Sequence, residues 1–138
     1  MKFLMHIFVL AILFAVKTVS AQNRTITVTV VNVTSDQGKV MYALYSKENF
    51  RKEPLQAKQA TIEKGRSTVA FENVAEGEYA IICFHDANNN NKMDFEPNGI
   101  PLEDYGASNN QLSPFGPPQY EDAKFVVGDK DVSFDIKF

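Results

Sequence analysis

One cysteine and two histidines are all that this 138-residue chain offers toward disulfide or zinc chemistry. A single cysteine closes no disulfide within the chain, even in a compartment that permits one. His6 lies in an apolar leader, so His85 is the one histidine of the body, and a zinc site built from a histidine cluster is excluded. Cys83 sits in the apolar run 79–84 and reads as a small buried hydrophobe. A redox or nucleophilic role would need a neighbour that stabilises the thiolate, and only His85, two residues on, stands close in sequence. Basic residues are not in excess either: 14 Lys and Arg face 17 Asp and Glu, a net charge of −3. No stretch carries a long helical period, and no apolar run reaches the ~18 residues of a spanning helix.

The longest apolar run, Phe3 to Val16, is broken only by His6. It follows Lys2 and leads through Val19-Ser20-Ala21 into Gln22. This pattern predicts a cleaved signal peptide over residues 1–21 and a single domain over 22–138, exported to the periplasm or beyond the cell. No cysteine stands at the cleavage point, so neither a lipid nor a helix anchors the product stably to a membrane. The 138 residues less the 21 of the leader leave 117, enough for one domain with a substantial core. Lys2 and Lys17 go with the leader, so 12 basic residues remain against 17 acidic ones and the net charge becomes −5. An acidic surface argues against nucleic acid and anionic membrane as partners, and it is compatible with binding a cation.

The body reads as strands separated by turns. Thr25 to Val33 alternates Thr with Ile or Val, the pattern of a half-buried strand. Lys39 to Tyr45 is apolar on both faces, which predicts a central strand. Ser46 to Pro54 predicts a short helical turn capped by Ser46, with Phe50 pinning it to the core. Segments 57–63 and 67–72 flank Lys64-Gly65-Arg66 and predict a hairpin. Glu78 to His85 is a second strand apolar on both faces. Residues 98–120 carry Gly99, Pro101, Gly106, Pro114, Gly116, Pro117 and Pro118 and predict one long irregular loop, held to the body by its aromatic and aliphatic residues. Segments 123–127 and 132–138 complete the set. The expected fold is all-β, an antiparallel β-sandwich of about seven strands, immunoglobulin-like or transthyretin-like.

The richest stretch in chemistry runs from Asp86 to Asp94. Asp86, Asn88, Asn90 and Asp94 place oxygen-bearing side chains at alternate positions, and calcium takes six to eight oxygen ligands. Laid against an EF-hand loop, Asp86, Asn88 and Asn90 occupy the first three ligand positions. Lys92 sits where a backbone carbonyl serves, and Asp94 where a direct or water-bridged ligand comes. Asn91 holds the sharp-turn position where glycine is usual, and asparagine is the next best residue at positive φ. Pro97 takes the twelfth position; Glu96, one residue early, is the acid that would replace the usual glutamate. Glu103, Asp104 and the carbonyls of 98–106 are further donors. The competing expectation is a plain polar turn, whose Asp and Asn side chains bond their own backbone.

The remaining candidates are weaker. His85 adjoins the loop and is expected to orient it; the alternative is a Cys83-His85 dyad. Glu103-Asp104 and Glu121-Asp122 are adjacent acids, which says nothing about facing each other across a scissile bond. Tyr105, Phe115 and Tyr120 either offer a glycan or peptide surface within 98–120 or seal that loop onto the core. Asn23 and Asn32 match the N-glycosylation pattern.

Several motifs together carry a resemblance. They are Gly77-Glu-Tyr-Ala80, His85-Asp86-x-Asn88-x-Asn90-x-Lys92-x-Asp94, Gly99-Ile-Pro101, Glu103-x-Tyr105-Gly106-x-Ser108-Asn109, Pro117-Pro118 and Asp122-Ala-Lys-Phe125. In this order the chain resembles a bacterial family of exported proteins of unknown function, the DUF2141 type. The likeness covers essentially the whole body and is most specific over 85–125. That family usually shows glycine where this chain has Asn91. The resemblance implies an exported β-sandwich and no particular activity. Three functions remain open at this point: a calcium-stabilised binding or accessory module, a secreted hydrolase using His85 with loop acids, and a structural envelope protein without metal.

Overall fold

The computed structural model describes residues 23–138. The expected signal peptide over 1–21 lies outside the described residues. Eight strands form among the described residues: β1 (Arg24–Val30), β2 (Lys39–Tyr45), β3 (Gln56–Ala60), β4 (Ser67–Val74), β5 (Gly77–Asp86), β6 (Tyr105–Ala107), β7 (Phe125–Val127) and β8 (Val132–Ile136). A single helical turn, α1 (Tyr120–Ala123), precedes β7. Two sheets result, one of order β4-β1-β8 and one of order β3-β2-β5-β6, with β7 also on β5. β6 and β7 share one edge of β5: β6 pairs Ile82 to Phe84 and β7 pairs Gly77 to Tyr79. The chain is thus an all-β sandwich. No helix among the described residues is long and apolar enough to cross a membrane.

Alternation decides which side of each strand faces the core. Ile26, Val28 and Val30 of β1 are fully buried, while the intervening threonines lie half-buried on the outer side. Tyr42 and Leu44 of β2, Ile81 and Cys83 of β5, Phe71 of β4 and Ile136 of β8 meet them between the sheets. The Tyr42 hydroxyl donates to the Ser67 carbonyl at 2.9 Å, a tie from one sheet to the other. The second apolar face of β5 is also used, for Ala80 packs with Ala107, Tyr120, Ala123 and Phe50 under α1. Phe50 meets Tyr45 and Tyr120 edge-on at 5.6 and 5.5 Å, so it pins the 46–54 excursion as expected. That excursion is a turn rather than a helix. Its cap runs backwards, with the Ser46 N–H and hydroxyl both donating to Asn49 Oδ1.

Four further expectations are corrected. The sandwich is not antiparallel throughout, because β1 and β8 run parallel in register from Ile26/Val132 to Val30/Ile136. The 57–63 and 67–72 segments share a tight turn but not a sheet. Glu63 and Arg66 exchange both backbone bonds around Lys64 and Gly65, whose φ of 50° and 74° make a primed hairpin turn. Beyond it β3 joins β2 and β4 joins β1. The 98–120 segment is not wholly irregular, since Tyr105–Ala107 is β6. Ala123 ends α1 instead of starting β7.

Side-chain amides close the corners where a sandwich would leave strand edges open. Gln56 donates to the Glu72 carbonyl at 2.8 Å, joining β3 to β4. Asn110 donates to the Asp135 carbonyl at 3.2 Å and accepts the Lys137 N–H at 2.8 Å. Asn32 treats Phe138 in the same way, at 2.9 Å in each direction. A carboxamide offers one donor and one acceptor side by side, as a peptide unit does, so each asparagine stands in for a short neighbouring strand. Asn32 is therefore a structural clamp, and a glycan on its Nδ2 would crowd the bond to the Phe138 carbonyl.

Removing the fully buried Phe71 side chain should be costly. Phe71→Ala is expected to lose about 3–5 kcal/mol in urea unfolding. Val126→Ala, at a site 70% exposed, should stay within about 0.5 kcal/mol.

Candidate functional site

One end of the sandwich gathers three loops. Strand pairing puts the end of β1, the start of β2, the turn before β4 and the exit of β5 together, so loops 31–38, 61–66 and 87–104 are neighbours. Loop 31–38 holds the other two. Asp36 accepts the N–H of Lys64 at 3.0 Å and of Gly65 at 2.8 Å, and the Val33 N–H donates to the Gly65 carbonyl. The Thr34 hydroxyl donates to Asp104 Oδ2 at 3.3 Å. His85 Nε2 stands 2.7 Å from the Gln37 carbonyl. A carbonyl only accepts, so Nε2 carries the proton. Gly38 presses against the exit of β5: a Cβ there would lie 2.1 Å from the Asp86 carbonyl oxygen.

Asp86 closes β5 and is fully buried. Its two carboxylate oxygens accept the backbone N–H groups of Asn90 and Asn91, each at 3.0 Å. Asn91 adopts φ 64°, so asparagine fills the sharp-turn position as expected. The Lys39 ammonium lies 3.8 Å from Asp86 Oδ2 and bonds Asn91 Oδ1. Lys39 was not singled out from sequence, although it is the first residue of β2 and pairs directly with Asp86.

The side chains of Asn88, Asn90 and Asp94 converge. Asn88 Nδ2 reaches Asp94 Oδ2 at 2.9 Å, and Asn90 Nδ2 reaches both Asp94 oxygens at 2.8 and 2.7 Å. Glu103 joins them by accepting the Asp94 N–H at 3.2 Å. Burial chiefly, together with the Asp94 and Asp86 carboxylates, pushes the Glu103 carboxyl above its ordinary value. A cavity of about 420 Å³ opens here between Ala87, Asn88, Asp94, Phe95, Leu102 and Glu103. Lys92 is exposed and contributes its N–H to Asn90 Oδ1. Glu96 is exposed on a short tongue, where its N–H bonds the Ile100 carbonyl. Among the described residues no three His, Cys, Asp or Glu side chains form a ready metal set. The convergence depends on asparagine.

The other candidates separate. Cys83 is buried and donates to the Gly106 carbonyl at 3.7 Å, and burial pushes its thiol up. Its partner is a carbonyl and so is that of His85, so neither side chain activates the other. Tyr120 is buried, with its hydroxyl on Glu78 Oε1 at 2.9 Å, and burial pushes that hydroxyl up to about 12. Phe115 is 97% exposed. Tyr120 seals the loop while Phe115 stands in solvent, so the three aromatics do not form one surface. Glu121 pairs with Lys124 and Lys47 on the surface.

A family model described as an uncharacterized protein conserved in bacteria (DUF2141) matches residues 28–135. No curated protein and no solved structure matches the chain.

The loop's architecture is testable without any ligand. With chelator present, Asp86→Ala leaves two N–H groups without their acceptor and Lys39 without its counter-charge, and is expected to cost about 3 kcal/mol in thermal unfolding. Gly38→Ala should cost a similar amount, about 2–3 kcal/mol, through positive φ and collision with the β5 exit. Glu96→Ala should change stability by less than about 0.5 kcal/mol.

Proposed function

The chain belongs to the DUF2141 family of uncharacterised bacterial proteins, a membership that prescribes no activity, and from that premise we propose an exported, calcium-stabilised β-sandwich that serves as a binding or accessory module. One observation carries the calcium reading: the carboxamides of Asn88 and Asn90 point at the two oxygens of Asp94. Turning each carboxamide about its terminal torsion exchanges nitrogen for oxygen, and it gives up the bonds in which Asn88 Oδ1 accepts the Asn90 N–H and Asn90 Oδ1 the Lys92 N–H, both at 3.2 Å. Two amide oxygens then face the same centre as the carboxylate, and a hard cation replaces the N–H donors. Glu103, which accepts the Asp94 N–H, would be a further donor, and by analogy with an EF-hand loop so would the Lys92 carbonyl. Each oxygen of Asp86 retains a lone pair after accepting its N–H. Glu96 is the weakest of the expected ligands, because its tongue carries it to the surface.

In this reading the ion's work is architectural. It holds the 87–104 loop and with it the shape of the loop-bearing end. Export rests on the leader pattern of residues 1–21. A glycan or peptide is the kind of partner that exposed residues of 98–120, Phe115 above all, would meet. The hydrolase alternative draws no support from the geometry, since His85 is committed to Gln37. The metal-free envelope protein differs from the proposal only in the loop, where the same bonds serve as an Asx turn.

Calorimetric titration of residues 22–138 with calcium decides between them. Binding is expected at a Kd of about 10⁻⁴–10⁻³ M, the range of extracellular modules. Calcium at ten times Kd should add about 1.4 kcal/mol to thermal stability. Asp94→Ala should remain folded and lose both effects. A wild-type protein that gives no heat and no thermal shift would leave the plain polar turn as the correct reading.

A further inference from the structure

We propose that Asn98 is a site of spontaneous deamidation, where the Asn98-Gly99 unit at the tip of the 94–102 tongue reacts with water to give aspartate and isoaspartate. The proposal is independent of calcium.

The tongue is a hairpin with a three-residue loop. Phe95 pairs with Pro101, the Glu96 N–H donates to the Ile100 carbonyl at 2.8 Å, and the Gly99 N–H donates to the Glu96 carbonyl at 2.8 Å. Gly99 has a φ of 83°, the left-handed residue that closes such a loop. Pro97, Asn98 and Gly99 therefore form the tip. Residues 95–100 are exposed, and a Cβ on Gly99 would meet nothing within 4 Å.

The reaction needs water and no cofactor. The Gly99 nitrogen attacks Cγ of Asn98, an N–Cγ bond forms and the Cγ–Nδ2 bond breaks. The departing amide nitrogen takes the proton that the Gly99 nitrogen gives up and leaves as ammonia. A cyclic imide remains, and water opens it at either carbonyl, to aspartate or to isoaspartate. Glycine favours the attack because no side chain shields its nitrogen. Of the eleven asparagines only Asn98 precedes glycine. The geometry adds a donor: the Ile100 N–H donates to Asn98 Oδ1 at 3.2 Å, the oxygen on which negative charge grows during the attack. The Gly99 N–H bond to Glu96 has to open first, and at an exposed tip with nothing packed on it that opening costs little. Asparagines elsewhere are held harder: Asn109 Nδ2 bonds the Asp122 and Lys124 carbonyls, and Asn49 Oδ1 accepts twice from Ser46.

The products differ from asparagine in charge and in length. Either one adds a carboxylate to a tongue on which Phe95, Ile100 and Leu102 are 55%, 57% and 60% exposed. Isoaspartate also routes the main chain through the side-chain methylene, so the loop gains an atom and the Glu96–Ile100 bond loses its register. The tongue is rooted beside the candidate site, since the Leu102 N–H bonds the Asp94 carbonyl at 2.9 Å. It is therefore the part of that end whose charge and shape change with the age of the protein.

Peptide mapping by mass spectrometry tests the proposal on folded residues 22–138, held at mildly alkaline pH below the melting temperature until the same chain unfolded in urea has converted. The mass gain of an amide turned acid should appear first at Asn98 in the folded protein. It should divide between two products of equal mass, with isoaspartate told apart by its fragmentation. Asn98→Gln should keep the wild-type melting temperature and lose the early gain, and Gly99→Ala should slow it. Conversion at Asn98 in urea with none in the folded protein overturns the proposal, because the turn then holds the Gly99 nitrogen. A first gain at any other asparagine of the folded protein overturns it as well.

Discussion

A carboxylate with no exposure to solvent sets the terms for one whole end of this protein. Asp86 ends the central strand of the larger sheet, where its desolvation has to be offset locally. Two backbone N–H groups do so from one direction and Lys39 from another. Accepting those N–H groups forces residues 86–91 into a tight bend. The bend brings Asn88, Asn90 and Asp94 together, so the polar cluster follows from the needs of a buried acid. It does so whether or not an ion ever occupies it. The neighbouring loop is fitted to the same point, for Gly38 leaves the room that the β5 exit requires.

Much of this was legible in the chain because period-two alternation is a strong signal where one face is buried. β1, with its Thr and Ile or Val, and β2 and β5, apolar on both faces, are found where expected. The acceptors at 86, 88, 90 and 94 stand out in the sequence because a tight loop can aim every second side chain inward. What stayed hidden depends on partners distant in sequence. Three residues are too few to show a period, so β6 was lost inside its Gly- and Pro-rich surroundings. Nothing in 57–72 says that two strands joined by a good hairpin turn belong to different sheets. The parallel register of β1 and β8 leaves no local mark at all. Nothing local marks Lys39; only the pairing of β2 with β5 sets it opposite Asp86.

Asparagine does several distinct jobs here. At Asn91 it tolerates the left-handed backbone. At Asn32 and Asn110 its carboxamide replaces a missing strand. At Asn88 and Asn90 it faces a carboxylate with a group that donates or accepts according to a rotation of one bond. The first two jobs belong to the scaffold, and the third is where the structure retains a choice. One residue type in a polar run thus concealed both the joints of the sandwich and its candidate site.

The parallel pairing of β1 with β8 also bears on how the molecule is made. Thr25 bonds Asp131, and Asn32 bonds Phe138, each across 106 residues of intervening chain. Contacts so remote in sequence are slow to find, because loop closure must be completed before they contribute. While the last strand is still to come, β1 is paired on one side only and its other edge lies open. A chain emerging N-terminus first therefore keeps that edge open until residues 132–136 have been made, and the sandwich can close only then.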